Sequence, residues 1–278
     1  MNYVRRIIQG LRRQWIIIDA VATYDRDKQA SGSSLGSWES LMNPLQMILF
    51  FVGIRVGFKY LLSGANEFGP GGATSDYFNI VVFMMLGFSI AFLFRAIALK
   101  SLSGLKLRAP LYYSRVKPLD ILLALSLNDM RAMATLSLLI LSVIYYFTWS
   151  FQIDSPGLAI CVYLLTVLMA VGFGLCVVFL GKLNKWIVKI IRRIIQRLII
   201  FTSGIFFATF EIPAAMRPII TWNPILHGVE LFRYSINNEY PIPDISLSYL
   251  ILCSILTFSF SLILYRTNEF QLLESNDD

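Results

Sequence analysis

PGLAICVYLLTVLMAVGFGLCVVFLG, residues 156–181, contains no charged side chain. An α-helix rising 1.5 Å per residue crosses a hydrocarbon core of roughly 30 Å in about 17–25 residues, so this stretch reads as a membrane-spanning helix. Apolar stretches of similar length lie near 44–63, 77–99, 119–148, 190–210 and 246–265. The 119–148 stretch is overlong, and its start up to Asn128 is expected to be tilted, interfacial or outside the bilayer. The predicted fold is all-α and integral to the membrane, with six transmembrane helices.

Composition agrees: 56% of the chain is apolar and 15% charged, against roughly 25% charged in soluble domains. No polar linker separates two hydrophobic blocks, so residues 42–278 read as one transmembrane domain preceded by a cytoplasmic interfacial segment, 1–41. The net charge of +7 flanks the apolar runs instead of decorating a soluble module, which argues against nucleic acid as a partner. Cys161, Cys176 and Cys253 all fall within apolar runs without metal-ligand spacing. No metal site is expected.

Lys and Arg are distributed unevenly among the connections. Arg5, Arg6, Arg12, Arg13, Arg26 and Lys28 precede the first span; Lys100, Lys106, Arg108, Arg115 and Lys117 lie between the second and third. Lys182, Lys185, Lys189, Arg192, Arg193 and Arg197 precede or begin the fifth. Segments 64–76 and 149–155 have none, and 211–245 has only Arg217 and Arg233. Positively charged short connections stay inside, so both termini of this multi-pass chain are expected in the cytoplasm. In NYVRRIIQGLRRQWIII, residues 2–18, arginines occupy one side of a helix and apolar residues the other, the pattern of an interfacial helix.

Segment 211–245 contains Pro213, Pro218, Pro224, Pro241 and Pro243 but is too apolar for a solvated loop. Non-spanning backbone at membrane depth must be sheltered by protein or line a cavity. Re-entrant external gate helices between helices 5 and 6 are therefore expected. Arg55, Lys59, Arg95 and Arg131 fall inside apolar runs, where each charge costs about 2.5–3.5 kcal/mol at the bilayer centre. Lys59 and Arg95 lie near span ends and can snorkel; Arg55 and Arg131 need partners or a wet cavity. Gly53 and Gly57 form a GxxxG spacing suited to close helix approach.

At the start of the fifth span, Lys185, Lys189, Arg192, Arg193, Gln196 and Arg197 project within about 140° of a helix circumference. Ile190, Ile191, Ile194, Ile195 and Leu198 cover the other side. This stripe suits either anionic headgroups or the wall of a path for a phosphate- or carboxylate-bearing substrate. ATP hydrolysis in this chain is not expected: the nearest approach to a Walker A loop, Gly181-Lys182, has Cys176 and Leu183 where glycine and a hydroxyl residue are required. His227, the sole histidine, stands one helical turn from Glu230; with no nucleophile motif beside them, a structural hydrogen-bonded pair is expected.

Tyr113-Ser114-Arg115-Val116-Lys117-Pro118-Leu119-Asp120, Trp222-Asn223-Pro224-Ile225-Leu226-His227-Gly228-Val229-Glu230-Leu231-Phe232-Arg233 and Leu264-Tyr265-Arg266-Thr267 together resemble motifs of the membrane permeases of ABC-2 type polysaccharide exporters, particularly the capsular-polysaccharide branch. Leu35-Gly36 and Pro44 also fit, while Trp38 stands one position early. The resemblance implies a location in the bacterial inner membrane and a homodimer bound to two copies of an ABC ATPase subunit that carries ATP and magnesium, with no cofactor in this chain. It further implies a lipid-linked polysaccharide as substrate, and a periplasmic co-polymerase and an outer-membrane export protein as partners. Trp222, Asn223, Pro224, His227, Glu230 and Arg233 would then belong to the external gate. Arg115, Lys117, Pro118 and Asp120 would belong to the ATPase-docking region, and Lys189, Arg192, Arg193 and Arg197 to the substrate path. O-antigen or teichoic-acid export shares this pattern, and a membrane enzyme acting on glycolipids through His227 and Glu230 is the reading from another class.

Overall fold

The computed structural model describes residues 2–32, 39–63, 77–78, 80–104, 116–148, 153–183 and 185–274. The helices are α1 (Asn2–Ser31), α2 (Glu39–Ser63), α3 (Ile80–Gly104), α4 (Pro118–Thr148), α5 (Pro156–Leu183), α6 (Lys185–Thr202), α7 (Arg217–Thr221), α8 (Pro224–Ile236) and α9 (Leu247–Glu274), with a 3-10 turn at Thr209–Glu211. No strand occurs among the described residues. Among the described residues, four segments are long and apolar enough to cross a membrane: Val81–Ser101, Leu119–Ser142, Pro156–Leu180 and Leu247–Thr267. Within α2 the apolar part, Pro44–Ile54, is shorter.

α3 and α5 form the centre. α5 packs on α9, α3, α8 and α6, while α3 also meets α4, α8, α6 and α2. Leu86, Phe88, Ile90, Leu93 and Ile97 of α3 are fully enclosed, whereas Leu252, Ile255, Leu256, Phe260 and Ile263 of α9 point outward. Several serine and threonine side chains in the spans bond to their own helix: Ser101 to the Ile97 carbonyl (2.8 Å), Thr166 to Val162 (2.8 Å) and Ser254 to Leu250 (2.7 Å). Each hydroxyl is thereby satisfied without water.

Local chemistry sets where α4 begins. Pro118 occupies the first helical position, where its missing N–H costs nothing, and Asp120 accepts the Lys117 backbone N–H at 3.0 Å. α4 has 31 residues and is about 46 Å long at 1.5 Å per residue, more than the hydrocarbon requires. The surplus lies at its start, where α1 packs along it through Ile18, Val21 and Ala22 against Ile121, Ala124 and Leu125.

The expected fifth span, 190–210, does not form one helix over that range. α6 starts at Lys185 and stops at Thr202, and Gly204 turns the chain at φ 77. A side chain there would be strained and would collide with the Leu226 methyl. Residues 203–211 then cross the core irregularly instead of prolonging α6, with Ile205 and Ala208 buried.

Segments 33–38, 64–76, 105–115 and 149–152 lie outside the described residues. With them go Leu35-Gly36, Trp38, Tyr113, Ser114 and Arg115, and the side chains of Arg55, Lys59 and Lys185.

Candidate functional site

α8 is inserted into the core between α3, α5 and α9, and the Trp222–Arg233 motif explains how. Asn223 caps its start: the side-chain oxygen accepts the Ile225 N–H at 3.0 Å, and Pro224 takes the first turn. The Asn223 amide donates to the Thr202 carbonyl and hydroxyl at 3.1 and 3.2 Å, fastening α8 to the end of α6. At the other end, the Ser155 N–H donates to the Ser235 carbonyl at 2.9 Å, beside the start of α5. Replacing Asn223 by alanine removes both roles and is expected to cost about 1–2 kcal/mol. Asn223→Asp, which keeps the capping oxygen, should lose less; thermal unfolding of the purified protein reads the order.

His227 and Glu230, expected as a pair, are partnered separately. The His227 Nδ1 accepts the Ser246 N–H at 3.0 Å, so Nε2 carries the hydrogen donated to the Thr221 carbonyl at 2.6 Å. Burial lowers the imidazole pKa, in keeping with a neutral ring. Its face lies 4.7 Å from the Tyr249 ring, whose hydroxyl donates to the Trp222 carbonyl at 2.6 Å. His227 thus ties α7, α8 and the start of α9 together. The Trp222 side chain itself is exposed, as are Met216 and Ile219 beside it.

Glu230 instead pairs with Arg233 at 3.1 Å, and both side chains are 0% exposed. The Arg233 guanidinium lies 3.4 Å from the centroid of the Phe83 ring, a cation–π stack. Its Nη2 donates to the Phe83 carbonyl (3.1 Å) and the Ile205 carbonyl (3.3 Å). One arginine therefore joins α8, α3 and the irregular 203–211 segment. Tyr240, also enclosed, makes edge-on or tilted ring contacts with Tyr77, Phe78, Phe83 and Phe210. Glu230 and Arg233 are three residues apart and so share a helix face, but the sequence reading paired Glu230 with His227, and the remote carbonyls had no signal in the sequence.

The basic stripe stands apart from this clasp. Lys189, Arg192, Arg193, Gln196 and Arg197 are exposed on α6, while Ile195 is buried and Ile191 packs against the core. The four cations make no ion pair among the described residues. In the expected docking region, Lys117 is exposed but Asp120 is 2% exposed. Its carboxylate is engaged by the Lys117 N–H and by the Gln14 side-chain amide, which holds α1 at the start of α4.

Of the charges inside apolar runs, Arg95 and Arg131 find partners on other helices. Arg95 stacks over Phe92 (5.5 Å) and donates to the Met47 sulfur (3.1 Å). Arg131 meets Asp19 of α1 at 2.9 Å, and its sequence neighbour Asp129 meets Lys100. Sequence reading missed the role of α1 as the source of these partners, since Asp19 and Asp25 lie far from α4 in the chain. A Cβ placed at Gly53 or Gly57 meets nothing within 4 Å, so the GxxxG face has no close neighbour among the described residues.

A family model described as ABC-2 type transporter matches residues 22–237. The polysialic acid transport protein KpsM of Escherichia coli is 28% identical over 267 residues, covering 96% of this chain and 98% of that protein. The capsule polysaccharide export inner-membrane protein BexB of Haemophilus influenzae is 21% identical over 262 residues, 93% of each chain. The capsule polysaccharide export inner-membrane protein CtrC of Neisseria meningitidis serogroup B is 23% identical over 192 residues, covering 66% of this chain and 69% of that one.

Proposed function

The chain belongs to the ABC-2 type transporter family, and from that membership we propose that it is the inner-membrane permease subunit of an exporter of capsular polysaccharide, powered by a separate ATPase subunit. The observation that carries this reading is end-to-end similarity to polysialic acid and capsule export proteins, extending over 96% of the chain in the case of KpsM. The absence of a Walker A loop from the sequence agrees with ATP and magnesium being held by the partner.

In this reading α2, α3, α4, α5, α6 and α9 make six crossings, α1 lies at the cytoplasmic interface, and α7 and α8 form the re-entrant external element. Both termini are cytoplasmic. The asymmetry of Lys and Arg supports this orientation, and the burial of α8 against α3, α5 and α9 supports the re-entrant reading, because it shelters the α8 backbone. Two copies of the chain assemble with two ATPase subunits and move a lipid-linked polysaccharide, and a periplasmic co-polymerase and an outer-membrane export protein carry it onward. The open GxxxG face of α2 suits a contact between the two copies.

Lys189, Arg192, Arg193 and Arg197 line the entry of the path for the anionic groups of that substrate. What supports this is their exposure without an ion pair to any other described residue, because an exposed cation on a partly apolar helix is available to a mobile anion. Converting both Arg193 and Arg197 to glutamine is expected to lower export about tenfold, in line with one lost charge-assisted contact of 1.5–3 kcal/mol. Insertion and assembly should be unchanged. Normal export by that variant would remove the basic face from the path.

The decisive experiment is co-purification with the cognate ATPase followed by ATP turnover and polysaccharide export in the reconstituted complex; a wild-type chain that never associates with the ATPase would sink the exporter reading. The glycolipid-enzyme alternative has little support in the geometry: both His227 nitrogens are hydrogen-bonded to backbone, and Glu230 has no exposed surface. O-antigen and teichoic-acid polymers would satisfy the same basic face, and assaying export of each polymer separates them from capsule.

A further inference from the structure

Lys100 is the point at which α1, α3 and α4 meet through charge. Its ammonium lies 3.3 Å from Asp25 of α1 and 3.4 Å from Asp129 of α4, whose side chains are 7% and 14% exposed. Asn128, beside Asp129, donates to the Ala22 carbonyl at 2.7 Å and to the Asp25 carboxylate at 3.3 Å. The second Asp129 oxygen is buried without a hydrogen bond. Along the rest of the seam, α1 is joined to α4 by Gln14–Asp120 and Asp19–Arg131 and by a small apolar contact. α1 packs along α4, and the Lys100–Asp25 pair is where α3 reaches it.

Two enclosed carboxylates share one ammonium. Without it, they repel across the α1–α4 seam, because like charges close together in a largely enclosed site are weakly screened. An apolar plug would hold three helices together at least as well, since buried ion pairs are weak contributors to stability. What the triad adds is direction: Lys100 makes the position of α1 depend on α3 and α4 at the same time.

We propose that Lys100 is a positioning residue for transport, the joint that carries movement of the interfacial helix α1 to spans α3 and α4 together. The inference rests on the exporter reading, in which the partner ATPase acts on the cytoplasmic face. A rigid shift of α1 then moves both spans as a unit, and without the ammonium the shift is dissipated in the seam.

The test uses the full complex with its ATPase in vesicles and reads assembly, ATP turnover and polysaccharide exported per ATP. Three variants are compared: Lys100→Met, Lys100→Arg, and Lys100→Met combined with Asp25→Asn and Asp129→Asn, which removes the leftover repulsion with little change of shape. The expected result is an assembled, ATP-hydrolysing complex whose export per ATP falls about tenfold in both neutral forms, the size of a typical coupling free energy. Lys100→Arg should stay close to wild type. Normal export per ATP in either neutral form overturns the proposal. Failure of both to assemble also overturns it, because the triad then serves only to hold the fold. A wild-type chain that shows no ATPase association or export would instead refute the exporter reading, so the two failures are distinguishable.

Discussion

Replacing Arg233 with leucine is expected to destabilise the protein by about 3–5 kcal/mol, the cost of leaving one member of a buried ion pair without its partner. Glu230 would keep its carboxylate in a site with no exposed surface, and the Phe83 and Ile205 carbonyls would each lose a donor. Because those two carbonyls belong to α3 and to the segment after α6, the damage should spread beyond α8. Thermal unfolding of the detergent-purified protein measures the loss. Combining Arg233→Leu with Glu230→Leu should recover part of it, since an apolar pair leaves no unpaired charge behind. A single variant as stable as wild type, or a double variant no better than the single, would contradict the clasp.

Gly172→Ala should part α5 from α9. A Cβ at that position would stand 2.7 Å from the Phe258 nitrogen, 2.8 Å from its Cα and 2.9 Å from the Thr257 carbonyl carbon. All three are backbone atoms, so no side chain can swing aside and one helix must move. Apolar helices in lipid gain little from hydrophobic exclusion and rely on close packing, which makes this approach costly to lose. Overpacking costs about 1–3 kcal/mol in typical cores, and alanine here belongs at the upper end. A denaturant titration from detergent would show it, and Gly172→Leu should be worse. If alanine left the midpoint where it was, the α5–α9 approach would not be as tight as described.

These two sites differ in how far the chain announced them. The Trp222–Arg233 motif was recognisable in the sequence, but the one local contact drawn from its spacing was His227 with Glu230, one helical turn apart; the Asn223 cap and the Glu230–Arg233 pair came from the structure. The pairing of His227 with Glu230 drawn from that spacing was wrong, because neighbours on a helix face also compete for partners on other helices. Arg233 won Glu230, while His227 was taken by the carbonyl of Thr221 and the N–H of Ser246. Gly172 gave no signal, since a glycine in an apolar run says nothing of which backbone it meets.

Similar limits applied to the fifth span. Hydropathy carried the expected span to residue 210, but Gly204 and the buried Ile205 and Ala208 form an irregular segment packed inside the protein. Apolar composition reports what a residue is buried in, not whether its backbone is helical. The stripe of Lys189, Arg192, Arg193 and Arg197 was legible, because helical periodicity alone places them together and the tertiary fold leaves that face open.

By itself the sequence determined the membrane class, the position of the long apolar helices and the uneven distribution of positive charge, all of which follow from local composition and a fixed helical repeat. Tertiary structure alone decided that Arg233 reaches Phe83 and Ile205, that Arg131 finds Asp19, and that Lys100 stands between Asp25 and Asp129. Each of these joins residues from different helices. The cost of an enclosed charge demands a partner, but only the packing of the helices determines which one.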